Sequence, residues 1–440
     1  MEFQTLKKSH LKRNIIIGIL VVGIISAIVL NFTRAKYRTT QSIPLVNGTI
    51  NYELSDLNLI GVYIEDGNDY TKVDQIPDSG YTFNSEKSYC KIGDEKQDMT
   101  ITYDMNTKTL NIAPMTTKGT KCYLYFDEQK ILLADAIKRD NQINSGTPNF
   151  ASVATTDEGV FKTQDDWGDS YYFRGAVNNN WVSFAGYYWR IIRINGDGSI
   201  RMIYSGNGSP ATTGTGTQIG TNTFSINGST YNNNAYVGYM YTVGQVHGLG
   251  TNSGIKNTLD SWYQTNIAKK GYGDKVSTEA GFCGDREPST NSSTSNGQGG
   301  TGTTVTYYGG YIRLVNSTKN PTLKCKNNED MYTVSGSSRG NKALTNPVGL
   351  ITADEVSMAG GVYGQTNQSY YLYTNSAYWT MSPYLFNASF SFAFVFIVNS
   401  SGYLNGSNVS NTIGVRPVIN LSADVTAKSG NGTSSKPYEI

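Results

Sequence analysis

Short segments in which apolar and polar residues alternate dominate the first part of the chain, at 59–64, 99–103, 109–112 and 121–126, parted by stretches rich in Asp, Asn and Gly. A period of two puts every second side chain on one face of a sheet, and turn residues between such runs mark an all-β unit. The pattern predicts a small Ig-like sandwich over residues 42–127. The period then changes. Residues 130–140 carry apolar side chains at helical spacing without Gly or Pro, and 255–267 align Ile255, Leu259, Trp262, Tyr263 and Ile267 along one helix face. Residues 181–194, the turn-forming run Asn195-Gly-Asp-Gly-Ser199 and residues 200–204 predict a hairpin. Thr352 and Glu355 have the spacing of a capping box, in which each side chain satisfies a free amide at a helix start. Two stretches, 205–235 and 284–305, are rich in Gly, Ser, Thr and Asn and poor in aliphatic residues, which predicts long surface loops. Together these elements predict an α+β chain with a second domain over 130–440.

The N-terminus adds a different expectation. An apolar run from Ile15 to Leu30 lies between Lys7, Lys8, Lys12 and Arg13 on one side and Arg34, Lys36 and Arg38 on the other. It predicts a cytoplasmic tail at 1–13 and a single transmembrane helix at 14–32, with the C-terminal region extracellular. A cleaved signal peptide is the competing reading, but no A-x-A-like site follows. The first forty residues carry a net charge of +6 in a chain of net +2, so the remainder is at −4. That mildly acidic remainder has no basic footprint for nucleic acid.

Four cysteines, Cys90, Cys122, Cys283 and Cys325, fall in two neighbourhoods, and pairing within each agrees with two domains in an oxidising compartment. Each such bridge adds roughly 3–4 kcal/mol by restricting the unfolded chain. Three connectivities are possible, and spacing alone does not choose among them. The only histidines are His10 and His247, and there is no C-x-x-C, so neither a metal nor a cofactor is expected. Asp197, Asp260, Asp285, Asp354 and Glu355 are scattered acids without EF-hand spacing.

From Val356 to Val415 the chain runs sixty residues without Asp, Glu, Lys or Arg. Rigid aromatics among short hydrogen-bonding residues are the composition of contact loops, although a sheet buried on both faces lacks charge too. Phe390, Phe392, Phe394 and Phe396 alternate along one strand face, and 394–404 reads as a core hairpin. The flanks supply the predicted ligand face: Tyr384, Phe386, Asn387, Ser389, Phe390, Ser391, Phe392, Asn405, Ser407, Asn408, Ser410 and Asn411. Arg416, in the closing Gly414-Val-Arg-Pro-Val418 strand, reads as an anchor for backbone carbonyls.

The order of several motifs resembles that of a known group. Phe184-Ala-Gly-Tyr-Tyr-Trp-Arg190, Trp262-Tyr263, Phe282-Cys-Gly-Asp-Arg286, Gly349-Leu-Ile-Thr-Ala-Asp-Glu355, Tyr378-Trp-Thr-Met-Ser-Pro383 and the Gly414 strand together resemble membrane-anchored bacterial surface proteins. Their distal domain has a C-type-lectin-like fold of the formylglycine-generating-enzyme branch, and the resemblance covers roughly residues 130–440. The uncharged tract enclosed by these motifs is similar to that of the variable proteins of diversity-generating retroelements, whose adenine-targeted substitutions change the ligand face. The resemblance implies a cell-surface protein that binds a protein or glycan ligand at a cell or phage surface, held to the membrane by its N-terminal helix. A structural envelope component is the alternative. Formylglycine-generating activity needs a reactive cysteine pair near the C-terminus, and none follows Cys325. His247 lacks a G-x-S-x-G partner, so no catalytic site is expected.

Overall fold

The computed structural model describes residues 50–51, 58–67, 69–78, 80–114, 119–289, 300–315 and 319–440. The expected tail at 1–13 and anchor at 14–32 lie outside these residues. Among the described residues no helix is long and apolar enough to cross a membrane. For the described residues the expected α+β class is corrected to mostly β, with 41% strand and 15% helix among them, and the expected membrane helix finds no support there. The helical periods foreseen at 130–140 and 352–356 yield single helices of only 8 and 7 residues, Leu133–Asp140 and Ala353–Ala359, which is why the balance shifts to strand.

The chain divides into two compact units, ending at Gln129 and beginning at Lys130. In the first, a five-stranded sheet runs in the order Asp69–Val73, Asn58–Asp66, Lys121–Glu128, Tyr81–Ile92, Glu95–Gln97. A three-stranded sheet of Ile50–Asn51, Thr109–Ala113 and Thr100–Asp104 accompanies it. Alternation does the work the sequence suggests: Ile101, Tyr103, Leu110, Ile112, Leu124 and Phe126 form one buried cluster. Cys90 and Cys122 are register partners on adjacent antiparallel strands and are bonded to each other. This bridge lies within one sheet, whereas the marker of antibody-type domains joins two sheets.

In the second unit the Tyr187–Ile194 strand is the spine of an eight-stranded sheet. Asp169–Gly175 and Trp181–Phe184 pair along one edge of it and Ile200–Asn207 along the other, and Val418–Leu421 then pairs with Ile200–Asn207. Tyr438–Glu439 adds in parallel to Trp181–Phe184. The run 181–194 is thus two strands, because Ala185 and Gly186 (φ 57° and 81°) form a two-residue turn with both residues left-handed, the geometry that matches strand twist. The 205–235 stretch is less loop-like than its composition suggests. Gly220–Thr223 pairs with Thr412–Val415, and Phe224 is completely buried. Residues 290–299 of the other expected loop lie outside the described residues. Cys283 and Cys325 are bonded, closing the second local loop.

Candidate functional site

A second sheet carries the uncharged tract. Its strands run Gly220–Thr223, Thr412–Val415, Tyr378–Asn387, Phe392–Val398, Leu404–Asn408, and Thr306–Tyr307 pairs with Tyr378–Asn387 near Leu385 and Phe386. The pleat sorts the side chains. Phe386, Ala393, Val395 and Ser407 point into the core and are buried, while Tyr384, Leu385, Asn387, Phe392, Phe394 and Asn408 are half-buried on the other face. Two predicted contact residues are corrected by this pleat: Phe386 has no exposed surface and Ser407 only 8%. Both were expected on exposed flanks of the 394–404 hairpin, whereas Phe386 belongs to the Tyr378–Asn387 strand and Ser407 to the Leu404–Asn408 strand, each on the buried side of the sheet.

All of the remaining predicted residues except Asn405 gather in two neighbourhoods. At one end of the hairpin the 388–391 turn exposes Ser389, Phe390 and Ser391, with Phe390 70% exposed. Main-chain and amide bonds shape this turn: the Phe390 amide donates to Asn387 Oδ1 (3.2 Å) and the Ser391 amide to the Ala388 carbonyl (3.3 Å). The 409–411 turn comes beside it, since Phe394 faces Asn408 across the ladder and the Val409 amide donates to the Ala393 carbonyl (3.1 Å). Asn408 Oδ1 accepts from the Ser410 amide and hydroxyl, both at 3.0 Å, and Asn411 Nδ2 donates to Ser407 Oγ, also at 3.0 Å. Phe392 packs on Tyr231, ring centroids 5.1 Å apart.

The second neighbourhood surrounds Tyr384. Its ring lies on the backbone of Gly406, where an added Cβ would come within 2.3 Å of Tyr384 Cδ1, so glycine is required by close approach. Tyr363 meets it hydroxyl to hydroxyl at 2.8 Å, and Tyr311 and Phe396 pack at centroid distances of 5.0 and 4.8 Å. Tyr307 continues the row, 4.7 Å from Tyr311. Burial, and then the bond with the Tyr363 hydroxyl, push the Tyr384 phenol well above its ordinary pKa, so it stays protonated and can donate. Asn405, opposite Ile397, shares the face of Ser407 and so lies across the sheet from the Tyr384 ring. Tyr307 and Tyr311, from one segment, and Tyr363, from another, were missed because only the pairing of Thr306–Tyr307 with the Tyr378–Asn387 strand and the bridge from Tyr363 to Leu404 bring them in.

The frame beneath is polar but closed. Arg416 is buried, stacks on Tyr378 (4.7 Å) and donates from Nε and Nη2 to the Tyr204 carbonyl at 3.1 and 2.9 Å. It anchors the closing strand. Four of the scattered acids also acquire cationic partners: Asp260 binds Lys256 (2.6 Å), Asp285 and Asp354 both bind Arg313 (2.6 and 2.8 Å), and Glu355 lies between Arg193 and Arg201. Burial holds the Asp285 carboxyl above the usual range despite Arg313. Among the described residues no group of three or more His, Cys, Asp or Glu could hold a metal ion.

His247 is bracketed by two acids, its Nε2 3.1 Å from Glu287 and its Nδ1 3.1 Å from Asp330. The Asp330 carboxylate beside Nδ1 raises its pKa, against burial and the nearby Arg286. A raised histidine pKa stabilises the fold fully below the unfolded value of about 6.5 and is lost as pH rises through the folded value. The stability difference between the native protein and His247→Gln is therefore expected to be larger at pH 6 than at pH 8.5 in urea titrations. An equal difference at both pH values would show that this ring contributes no charge pairing.

No family model, no curated protein and no solved structure matches this chain.

Proposed function

We propose that the chain is an extracellular binding protein whose second unit, a lectin-like frame, presents the uncharged face from the Phe390 turn to the Tyr384 cluster to a protein ligand. The observation that carries this reading is Phe390, 70% exposed in a tract without charge, on a turn whose shape is set by main-chain and amide bonds. A protruding aromatic supplies the anchor that binding energy concentrates on, short polar neighbours adapt, and the absence of charge avoids desolvation cost. Of the two ligand classes the resemblance implies, a protruding Phe favours a protein pocket over a sugar ring. The two local disulfides support exposure to an oxidising compartment.

A photo-crosslinking side chain at position 390 of the full chain tests the reading. A single covalent protein partner is expected, with native protein competing for it and Phe390→Ser competing at least about tenfold less well. The melting temperature of Phe390→Ser should match that of the native protein. Equal competition by the variant would remove the anchor and the proposal with it. We propose further that the tract is diversified, which requires a near-copy of the DNA for residues 383–412 beside a reverse transcriptase gene, differing at template adenines.

A further inference from the structure

An open cleft of about 470 Å³ lies away from that face, where the Tyr187–Ile194 and Ile200–Asn207 strands meet the Gly254–Tyr263 helix and the 215–219 segment. No described residue lining it is charged. Its aromatic wall is Tyr187, Tyr204 and Trp262, with Trp262 5.5 Å from Tyr187 and 5.9 Å from Tyr204. A relay fixes this wall: the Tyr187 hydroxyl donates to Asn266 Oδ1 (2.6 Å), and Asn266 Nδ2 donates to the Trp262 carbonyl (2.9 Å). Lys270 approaches Tyr187 from the outside, its ammonium 3.4 Å from the hydroxyl.

Two buried polar side chains open into the cleft with hydrogen-bonding capacity unused by the described residues. Tyr204 is only 4% exposed, and its hydroxyl has no hydrogen-bond partner there. Gln218, 7% exposed, spends its amide nitrogen on the Ala377 carbonyl (3.1 Å) and leaves its oxygen free to accept. Asn207 stands exposed on the rim.

We propose that this cleft binds a neutral carbohydrate. A pyranose ring offers a C–H face, which an aromatic wall covers, and equatorial hydroxyls that donate and accept at once. Gln218 Oε1 accepts, while the Tyr204 hydroxyl does both, which suits such a rim and not a purely anionic ligand. The volume falls within the range of small-molecule clefts, with room for one or two rings. Hydrolysis of a glycosidic bond needs two carboxyl groups across the ring, and the lining supplies none, so the site binds and does not cleave.

Saturation-transfer NMR on the full chain with maltotriose, cellotriose and N-acetylated chitotriose, and with trigalacturonic acid as charged control, tests this. At least one neutral trisaccharide is expected to show saturable transfer, with a matching change in tryptophan fluorescence. Tyr204→Phe, which keeps the ring and removes only the unpartnered hydroxyl, should weaken that binding by about tenfold while the melting temperature stays put. Phe390→Ser should leave it unchanged, which separates this site from the protein-binding face. Absence of transfer from all three neutral probes, unaltered affinity in Tyr204→Phe, or stronger binding of trigalacturonic acid would each overturn the assignment.

Discussion

Replacing Trp379 with alanine is expected to lower the stability of the second unit by about 3–5 kcal/mol, the cost of emptying a large aromatic site in a packed core. The residue has no exposed surface, stands opposite Ile397 in the Tyr378–Asn387 strand and meets Phe224 edge to face at 5.6 Å. Its indole Nε1 donates to the Asn222 carbonyl at 2.9 Å. Truncation therefore opens a cavity and orphans an acceptor on the strand that pairs with Thr412–Val415. Guanidinium unfolding followed by tryptophan fluorescence measures the loss. A cost below about 1 kcal/mol would mean that the site collapses around alanine and that the frame is less rigid than the binding reading requires.

Glu355→Gln is expected to cost a comparable 3–5 kcal/mol, because it strands buried guanidinium charge. Glu355 Oε1 lies 3.0 Å from Arg193 Nε and 2.5 Å from Arg201 Nε, and all three side chains are at most 7% exposed. Arg193 keeps Asp165 at 2.5 Å, whereas the remaining bonds of Arg201 go to the carbonyls of Gly281 and Leu350. The helix cap is not the cause of the loss, since Gln can still accept from the Thr352 amide as Glu355 does at 3.0 Å. Burial opposes ionisation of Glu355, but Arg201 and then Arg193 outweigh it and hold its pKa below the ordinary value. Such a group stabilises above its unfolded pKa of about 4.3 and loses that contribution as pH falls through the folded value. The native protein should thus lose stability more steeply than Glu355→Gln between pH 5 and pH 3. Parallel acid-unfolding curves for the two proteins would mean that Glu355 is not the ionised centre of the cluster.

Local signals were readable where chemistry at short range decides the outcome. The Thr352–Glu355 box forms with both of its bonds, and Ile255, Leu259, Tyr263 and Ile267 are buried along one helix side as their spacing requires. What periodicity could not convey was the second use of the same residues. Glu355 caps a helix with one oxygen and gathers two arginines from separate positions on a sheet with the other, a contact 162 residues away in the case of Arg193. The uncharged tract behaves likewise. Its alternation of Phe with small residues at 392–396 shows which residues share a face, but not where the strand ends, so Phe386 was taken for a contact. The tyrosines that surround Tyr384 carry no local mark at all. Long loops hid strands for a related reason: Gly220–Thr223 has no apolar alternation, and its place in the sheet is set by the partner strand Thr412–Val415.

The pairing of Val182 with Tyr438 and of Ile200 with Leu421 fixes when the second unit can form. Two of its strands, Trp181–Phe184 and Ile200–Asn207, are covered by segments made hundreds of residues after them, and contacts of such sequence separation fold slowly. While the chain is being synthesised, Trp181–Phe184 and Ile200–Asn207 wait with unpaired amides and carbonyls, the template on which other chains add. The first unit has no such dependence, since its pairings close by Glu128. Maturation of this protein is therefore staged, with an early unit that can settle as it emerges and a late one that needs protection until its last strands arrive.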